Sequence, residues 1–254
     1  MPEPVLLEVC VDSVASAVAA QRGGAHRIEL CSDLLEGGVT PSLGLLAFIR
    51  SKVSIGVHLI IRPRPGDFCY SDAEFEVMQR DIELARSTRA DGVVLGILKP
   101  DGRVDVERTR ALVEAARPLS VTFHRAFDVS ANLHEALEDV CTTGAVRLLT
   151  SGGEQECLQG VDTVARLVQA SRGRLRVMAG GRIGIKNAAT IIERTGVSEI
   201  HVGLATPVSG ANMNHTPRRL SLGKAQDREF QQTEVLEENV RDLIRAISSV
   251  SGAV

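Results

Sequence analysis

The sequence predicts an α/β protein, a single (β/α)8 barrel of the TIM type with an extra C-terminal helix. Three observations predict it. Short apolar runs alternate with longer stretches of helical period along most of the 254 residues. No Pro/Gly/Ser-rich linker breaks the alternation, and glycine-bearing turns recur just ahead of the even-numbered apolar runs. Repeated β-then-α order needs parallel strands, and eight such units favour a closed cylinder over an open doubly wound sheet. The absence of G-x-G-x-x-G after the first run also counts against an open dinucleotide-binding sheet. The whole chain, 1–254, is therefore read as one domain, with strands between 5 and 203 and an irregular segment plus a helix over 204–254.

The first strand is placed at 5–11 and the second at 27–31, with a helical pattern at 13–21 between them. Later strands fall at 56–62, 92–98, 120–124, 147–151, 176–180 and 199–203. Helical periods occupy 72–88, 105–117, 133–142, 155–170 and 186–194. Gly24-Ala25, Gly144-Ala145 and Gly196-Val197 precede the second, sixth and eighth strands, and Ala90-Asp91-Gly92 fills the remaining slot. Each reads as a helix C-cap feeding a strand, where glycine tolerates a positive φ. Beyond the eighth strand, 206–227 is polar and irregular. Leu236, Val240, Leu243, Ile244 and Ile247 then mark one face of a last helix, expected to pack on the barrel or on a neighbouring subunit.

Composition narrows the chemistry. With 44% hydrophobic but only 3% aromatic residues and no Trp, the core must be built of Val, Leu, Ile and Ala. A net charge of −3 gives no broad attraction to nucleic acid or acidic lipid, so neither is expected as a partner. Five cysteines without C-x-x-C spacing suit neither a secreted disulfide framework nor a structural zinc knot, and a reducing compartment fits them. Met-Pro-Glu-Pro lacks a basic signal-peptide start, and no apolar run approaches a membrane span, so a soluble intracellular protein is expected. Only four lysines occur, Lys52, Lys99, Lys186 and Lys224, none in an expected strand. Schiff-base chemistry inside a barrel is thereby disfavoured.

Barrel chemistry collects at the C-terminal ends of the strands, and the residues expected there are unusually polar. In Leu7-Glu8-Val9-Cys10 and Ile28-Glu29-Leu30-Cys31 an acid and a thiol two residues apart share one face of a strand. A carboxylate inside an apolar strand is costly unless paired, hydrated or bound to a ligand. Glu8 and Glu29 are read as metal ligands, as a general acid and base, or as partners of Arg62. On neighbouring strands Cys10 and Cys31 can bring two sulfurs together for a soft metal such as Cu(I), or be inert core cysteines. His124 ends the fifth strand facing the same mouth, with Asp128 either orienting it or capping the next helix. His201 lies nearer mid-strand, where a core role and ligand contact are both open. Arg62 and Arg64, in Arg62-Pro63-Arg64-Pro65-Gly66-Asp67-Phe68, offer an anion clamp on a stiff loop. Ser151-Gly152-Gly153 and Gly180-Gly181 could hold an anion on open backbone amides.

Taken in order, these motifs resemble the CutC family of copper homeostasis proteins. The resemblance rests on the two acid-thiol tetrapeptides, Gly24-Ala25-His26-Arg27, Glu36-Gly37-Gly38-Val39-Thr40-Pro41-Ser42, Ile61-Arg62-Pro63-Arg64, Gly66-Asp67-Phe68, Thr122-Phe123-His124-Arg125-Ala126-Phe127-Asp128, Leu149-Thr150-Ser151-Gly152 and Met178-Ala179-Gly180-Gly181. It implies a TIM-barrel-like fold, Cu(I) binding at Cys10 and Cys31, a cytoplasmic and in animals also nuclear location, and self-association up to a tetramer. The chain departs from the family pattern at Arg182, where a third glycine is usual, at His201-Val202-Gly203-Leu204-Ala205, and at Asn214-His215-Thr216-Pro217 after Met213. The residues alone also support an alternative, a barrel enzyme acting on a small anionic, sugar- or phosphate-like substrate. There Glu8 and Glu29 supply acid and base, His124 a proton shuttle, and Arg62 the clamp.

Overall fold

The computed structural model describes residues 5–208 and 231–251. Eight parallel strands close into a barrel in chain order: β1 (Leu6–Val11), β2 (Arg27–Leu30), β3 (Gly56–Ile60), β4 (Gly92–Leu95), β5 (Ser120–Phe123), β6 (Arg147–Thr150), β7 (Arg176–Gly180) and β8 (Glu199–Val202). Closure is made by β1 against β8, with Leu6 opposite Glu199 and Glu8 opposite His201. The strands end up to three residues earlier than the apolar runs do, because residues such as Ile61, Ile97 and Leu98 stay buried after the ladder stops. Around the cylinder lie α1 (Val14–Gly23), α2 (Leu43–Arg50), α3 (Asp72–Ser87), α4 (Val106–Ala116), α5 (Leu133–Thr143), α6 (Val161–Ser171) and α7 (Ala188–Thr195).

Local chemistry explains where these helices start and stop. Ser13, Ser42, Asp105 and Asn132 cap α1, α2, α4 and α5 by accepting from first-turn amides, and Ser71 with Glu74 forms a reciprocal capping box on α3. Gly24, Gly144 and Gly196 end α1, α5 and α7 in the left-handed region at φ 99°, 90° and 70°, as their spacing predicted. The short α2 was not foreseen; its run Leu43-Gly44-Leu45-Leu46-Ala47-Phe48 is too apolar throughout to show a clear helical period.

The polar and apolar faces of the strands divide the molecule. Leu7, Val9, Ile28, Leu30, Val57 and Leu59 join the buried residues of the helices in one continuous apolar layer. Each such fully buried side chain contributes roughly 2 kcal/mol. The alternate positions, Glu8, Cys10, Arg27, Glu29, Cys31 and His58, face the barrel interior and are buried there.

The expectation of irregular chain from 204 onward is corrected at both edges. Ala205–Val208 (β9) and Gln232–Val235 (β10) form a small antiparallel sheet, and the rest of that segment lies outside the described residues. Ser16 Oγ accepts from Val235 N at 3.0 Å and fastens β10 to α1. The last helix, α8 (Glu237–Ser251), buries Val240, Leu243 and Ile247 as predicted and packs against α1 and α7 of its own barrel. Gly23 permits that approach, since a Cβ there would lie 2.5 Å from Val240 Cβ. Among the described residues no helix is long and apolar enough to cross a membrane.

Candidate metal and ligand site at the barrel mouth

The floor of the site is an ion network. Arg27 pairs with Glu8 through Nε, and its Nη2 reaches Glu199 Oε2 at 2.7 Å. Arg147 grips the same Glu199 with Nε at 2.5 Å and Nη2 at 3.1 Å. These four side chains are all less than a tenth exposed. The sequence offered Arg62 as the partner of the acids. Register explains why Arg27 takes that role, because Cα pairing sets it directly beside Glu8.

His201 joins this floor to the mouth. Its Nδ1 lies 2.7 Å from Glu8 Oε1, and its Nε2 lies 3.8 Å from Glu29 Oε2. Burial works against a charged ring, but Cys10, Glu8 and Glu29 outweigh it and hold His201 well above its ordinary pKa. Burial likewise opposes the charge on Glu8, yet the His201 bond and the Arg27 guanidinium keep that carboxyl well below the usual range. His201 thus lies between two acids, hydrogen-bonded to Glu8 and 3.8 Å from Glu29, and ties the ion floor to the thiol cluster.

Above it the two sulfurs meet. Cys10 Sγ and Cys31 Sγ are 3.7 Å apart, and Cys31 Sγ is 3.5 Å from Glu29 Oε2. One ligand atom from each of these three buried residues falls within 4.8 Å of the others. Contact with Cys31, together with His201, brings Cys10 down to about 6 despite burial. Contact with Cys10, burial and the nearby Glu29 hold Cys31 well above its ordinary value. Burial and the Cys10 charge push Glu29 up to about 8. The cluster therefore sets one sulfur biased towards thiolate beside one biased towards thiol and a carboxyl biased towards its neutral form, a donor set in which both sulfurs suit a soft ion.

The thiol pair opens on a cavity of about 570 Å³ that reaches Cys10 and Glu29 but not Cys31. His124, His201, Phe68 and Ile60 line it, with Arg62, Arg125 and Arg182 bringing positive charge and Glu36 negative. His124 is buried; its Nδ1 accepts from Ala126 N at 3.2 Å, and its Nε2 has no partner among the described residues. Burial and the Arg62 charge lower its pKa to about 3, so the ring is neutral and its proton sits on Nε2. A neutral ring of that kind is a hydrogen-bond donor and a poor proton shuttle.

The arginines of the expected anion clamp have partners of their own. Arg62 lines the cavity, where its Nη1 donates to Glu36 O and Gly38 O and its Nη2 to Gly66 O, while its Nε is buried without a partner among the described residues. Arg64 is off the cavity, bound to Glu74, Asp67 and Cys69 O. The amides after β6 are also occupied: Asp128 accepts from Ser151 N and Gly153 N, and Thr150 Oγ1 accepts from Gly152 N at 2.9 Å. Asp128 further accepts from Ser151 Oγ and Arg125 Nε, and makes no bond to His124. It is a loop anchor. Gly180 is packed with no room for a Cβ, which would sit 2.6 Å from Leu149 Cδ1, and of Ser151, Gly152, Gly153, Gly180 and Gly181 only Gly181 lines the cavity. Arg182, the departure after β7, reaches Glu156 at the rim with Nη1 at 2.9 Å. The departure at 213–217 lies outside the described residues.

This fold and site define a TIM-type barrel protein with a buried dithiol–carboxyl cluster under an open cavity. The chain belongs to the CutC family, whose model matches residues 5–206. It is 53% identical over 196 residues to the copper homeostasis protein cutC homolog of Mus musculus, covering 77% of this chain and 72% of that one. A CutC family protein of Chromobacterium violaceum is 45% identical over 242 residues, 95% of this chain and 98% of the other. Among solved structures, CutC from Streptococcus agalactiae superposes with a TM-score of 0.73 at 31% identity, over 78% of this chain and 97% of that chain. A thiamine phosphate pyrophosphorylase from Pyrococcus furiosus, at 19% identity and TM-score 0.60 over 98% of each chain, shares the barrel fold alone.

Proposed function

We propose that this chain takes part in copper homeostasis by binding Cu(I) through Cys10 and Cys31 at the barrel mouth. The observation that carries this reading is the 3.7 Å approach of two buried sulfurs from neighbouring strands. With metal–sulfur bonds like the ~2.3 Å of zinc, a linear ion needs sulfurs about 4.6 Å apart. The pair is thus roughly 0.9 Å closer than a linear site requires, a gap that side-chain rotation can open; left closed, it suits a bent site with Glu29 as a third donor. Register favours an ion over a disulfide. Cys10 is the Cα partner of Glu29, so Cys31 lies two residues further along its strand. Two residues of rise and one strand spacing put such Cα atoms about 8 Å apart, beyond the ~7 Å that a disulfide tolerates. The name of the mouse relative supports the copper assignment. In the same proposal the protein works in the cytosol, and in the nucleus where there is one, as a homo-oligomer of two or four copies. Titration with a Cu(I)-specific competing chelator tests it: wild type holds one ion and Cys10→Ala/Cys31→Ala holds none, whereas equal stoichiometry rejects the thiolate site.

A second reading, a barrel enzyme for a small anionic substrate, is favoured by the cavity, which is far larger than one ion needs. Glu29 and His201 are its proton-carrying groups, with His124 as an oxygen-binding donor. Glu8 is locked to Arg27 and His201 and Asp128 to the β6 loop, so neither serves as acid or base here. Turnover of a small phosphate or carboxylate that is lost in Glu29→Gln supports this reading, and turnover unchanged by that substitution rejects it.

A further inference from the structure

Metal binding at Cys10 and Cys31 leaves two buried donors on the cavity wall without partners, Arg62 Nε and His124 Nε2. His124 is 5% exposed, and its Nε2 is buried without a hydrogen-bond partner. Leaving such a donor unpaired is costly relative to pairing it. The barrel has nonetheless been shaped around the ring. Gly96 lies beneath it, where a Cβ would come within 2.6 Å of Nδ1, and Ala126 N fixes the tautomer that leaves the proton on Nε2. Phe68 lies against the ring at a centroid distance of 5.0 Å, and Arg62 stacks over Phe68 at 5.2 Å. A preset donor, an aromatic wall and three arginines against two glutamates surround a volume in the range of small-ligand sites.

We infer that the cavity above the thiols binds a small organic acid, one of whose oxygens accepts the Nε2–H of His124 while its apolar body lies against Phe68 and Ile60. This rests on the second reading of the cavity and deepens it by naming the ligand class and the donor. It assigns His124 as a fixed, uncharged donor, a role that suits a carbonyl or carboxylate oxygen and leaves proton transfer to other groups. Arg62, Arg125 and Arg182 outnumber Glu29 and Glu36 on the lining, so an anion is favoured over its neutral analogue although each arginine is also paired within the protein. Neutral amides of the same shape then bind more weakly than the acids.

The test uses the full-length protein with pyruvate, glycolate and phosphoglycolate as probes, and lactamide as the neutral control. Binding is read by calorimetry and by the ¹⁵N and ¹H resonances of His124 Nε2–H. At least one acid is expected to bind and move that resonance, lactamide to bind more weakly, and His124→Phe, which keeps the ring bulk but removes the donor, to lose about tenfold in affinity. His124→Gln, which keeps an N–H donor, should recover part of it. Equal affinity in wild type and His124→Phe overturns the inference, as does a His124 resonance that none of the acids moves, the result expected if the Phe68 ring alone satisfies Nε2–H. Binding without turnover rejects only the enzyme reading. Acid binding retained in Cys10→Ser/Cys31→Ser separates this site from the copper site, and its loss there overturns a site centred on His124.

Discussion

Replacing Arg27 by Met probes the ion network that supports the whole site. Arg27 is 6% exposed and bridges Glu8 and Glu199. Removing one member of a buried ion pair typically costs 3–5 kcal/mol, because the other is left charged and unpaired. Here both acids keep a second partner: Glu199 retains two bonds from Arg147, at 2.5 and 3.1 Å, and Glu8 retains His201 at 2.7 Å. The loss should therefore fall at the lower end, about 3 kcal/mol, or a melting temperature lower by roughly 6–12 °C. Urea unfolding should be followed by circular dichroism, since the chain has no Trp and one Tyr. Adding Glu8→Gln to Arg27→Met removes the stranded charge and should return part of the stability. A loss below about 1 kcal/mol, or a double variant no more stable than Arg27→Met, refutes the view that these ions hold one another in the barrel.

Stability should also fall with acid. His58, lowered to about 4, and His124, lowered to about 3, are both held down chiefly by burial; in the unfolded chain each takes up a proton near 6.5. At these two rings the unfolded state binds more protons, so they lower the unfolding free energy as pH drops below about 6.5. Cys10, lowered to about 6, acts in the same direction down to that value, while Glu29, pushed up to about 8, and the raised His201 hold protons in the folded state and offset part of that loss. Three groups against two leave a net decline from pH 7 to pH 5, and a rise over that range would contradict this. Glu8, held low, adds its own loss only below its ordinary 4.5. Gly96→Ala, whose Cβ would sit 2.6 Å from His124 Nδ1, should cost about 1–3 kcal/mol and disturb the cavity; an unchanged melting curve would show that the ring is free to move. Cys10 and Cys31 should stay unlinked under diamide, whereas a mass loss of two hydrogens on a peptide pair joining them would show that the strands bring their backbones closer than the register implies.

Much of this was legible in the chain. Period-two alternation put Glu8 and Cys10 on one face and Glu29 and Cys31 on another, and the eight-unit rhythm placed both at one rim. What the residues could not disclose was register across closure. Glu8 and His201 are 193 positions apart, and only the pairing of β1 with β8 makes them neighbours. Reading His201 as a mid-strand residue was correct about its place and silent about its partners. Arg62 and Arg64 look like a clamp because side-chain charge is visible in a sequence, whereas the carbonyls of Glu36, Gly38 and Gly66 that absorb Arg62 are backbone groups set by loop shape. The Ser151 and Gly153 amides are taken by the chain's own Asp128, and that of Gly152 by Thr150 Oγ1.

The central claim is that two sulfurs converge at the mouth to hold copper. X-ray absorption at the copper edge of the Cu(I)-loaded protein tests it most directly. Two sulfur neighbours at about 2.2–2.3 Å, reduced to one or none in Cys10→Ala, are predicted. A first shell of nitrogen and oxygen only, unchanged by that substitution, would contradict it.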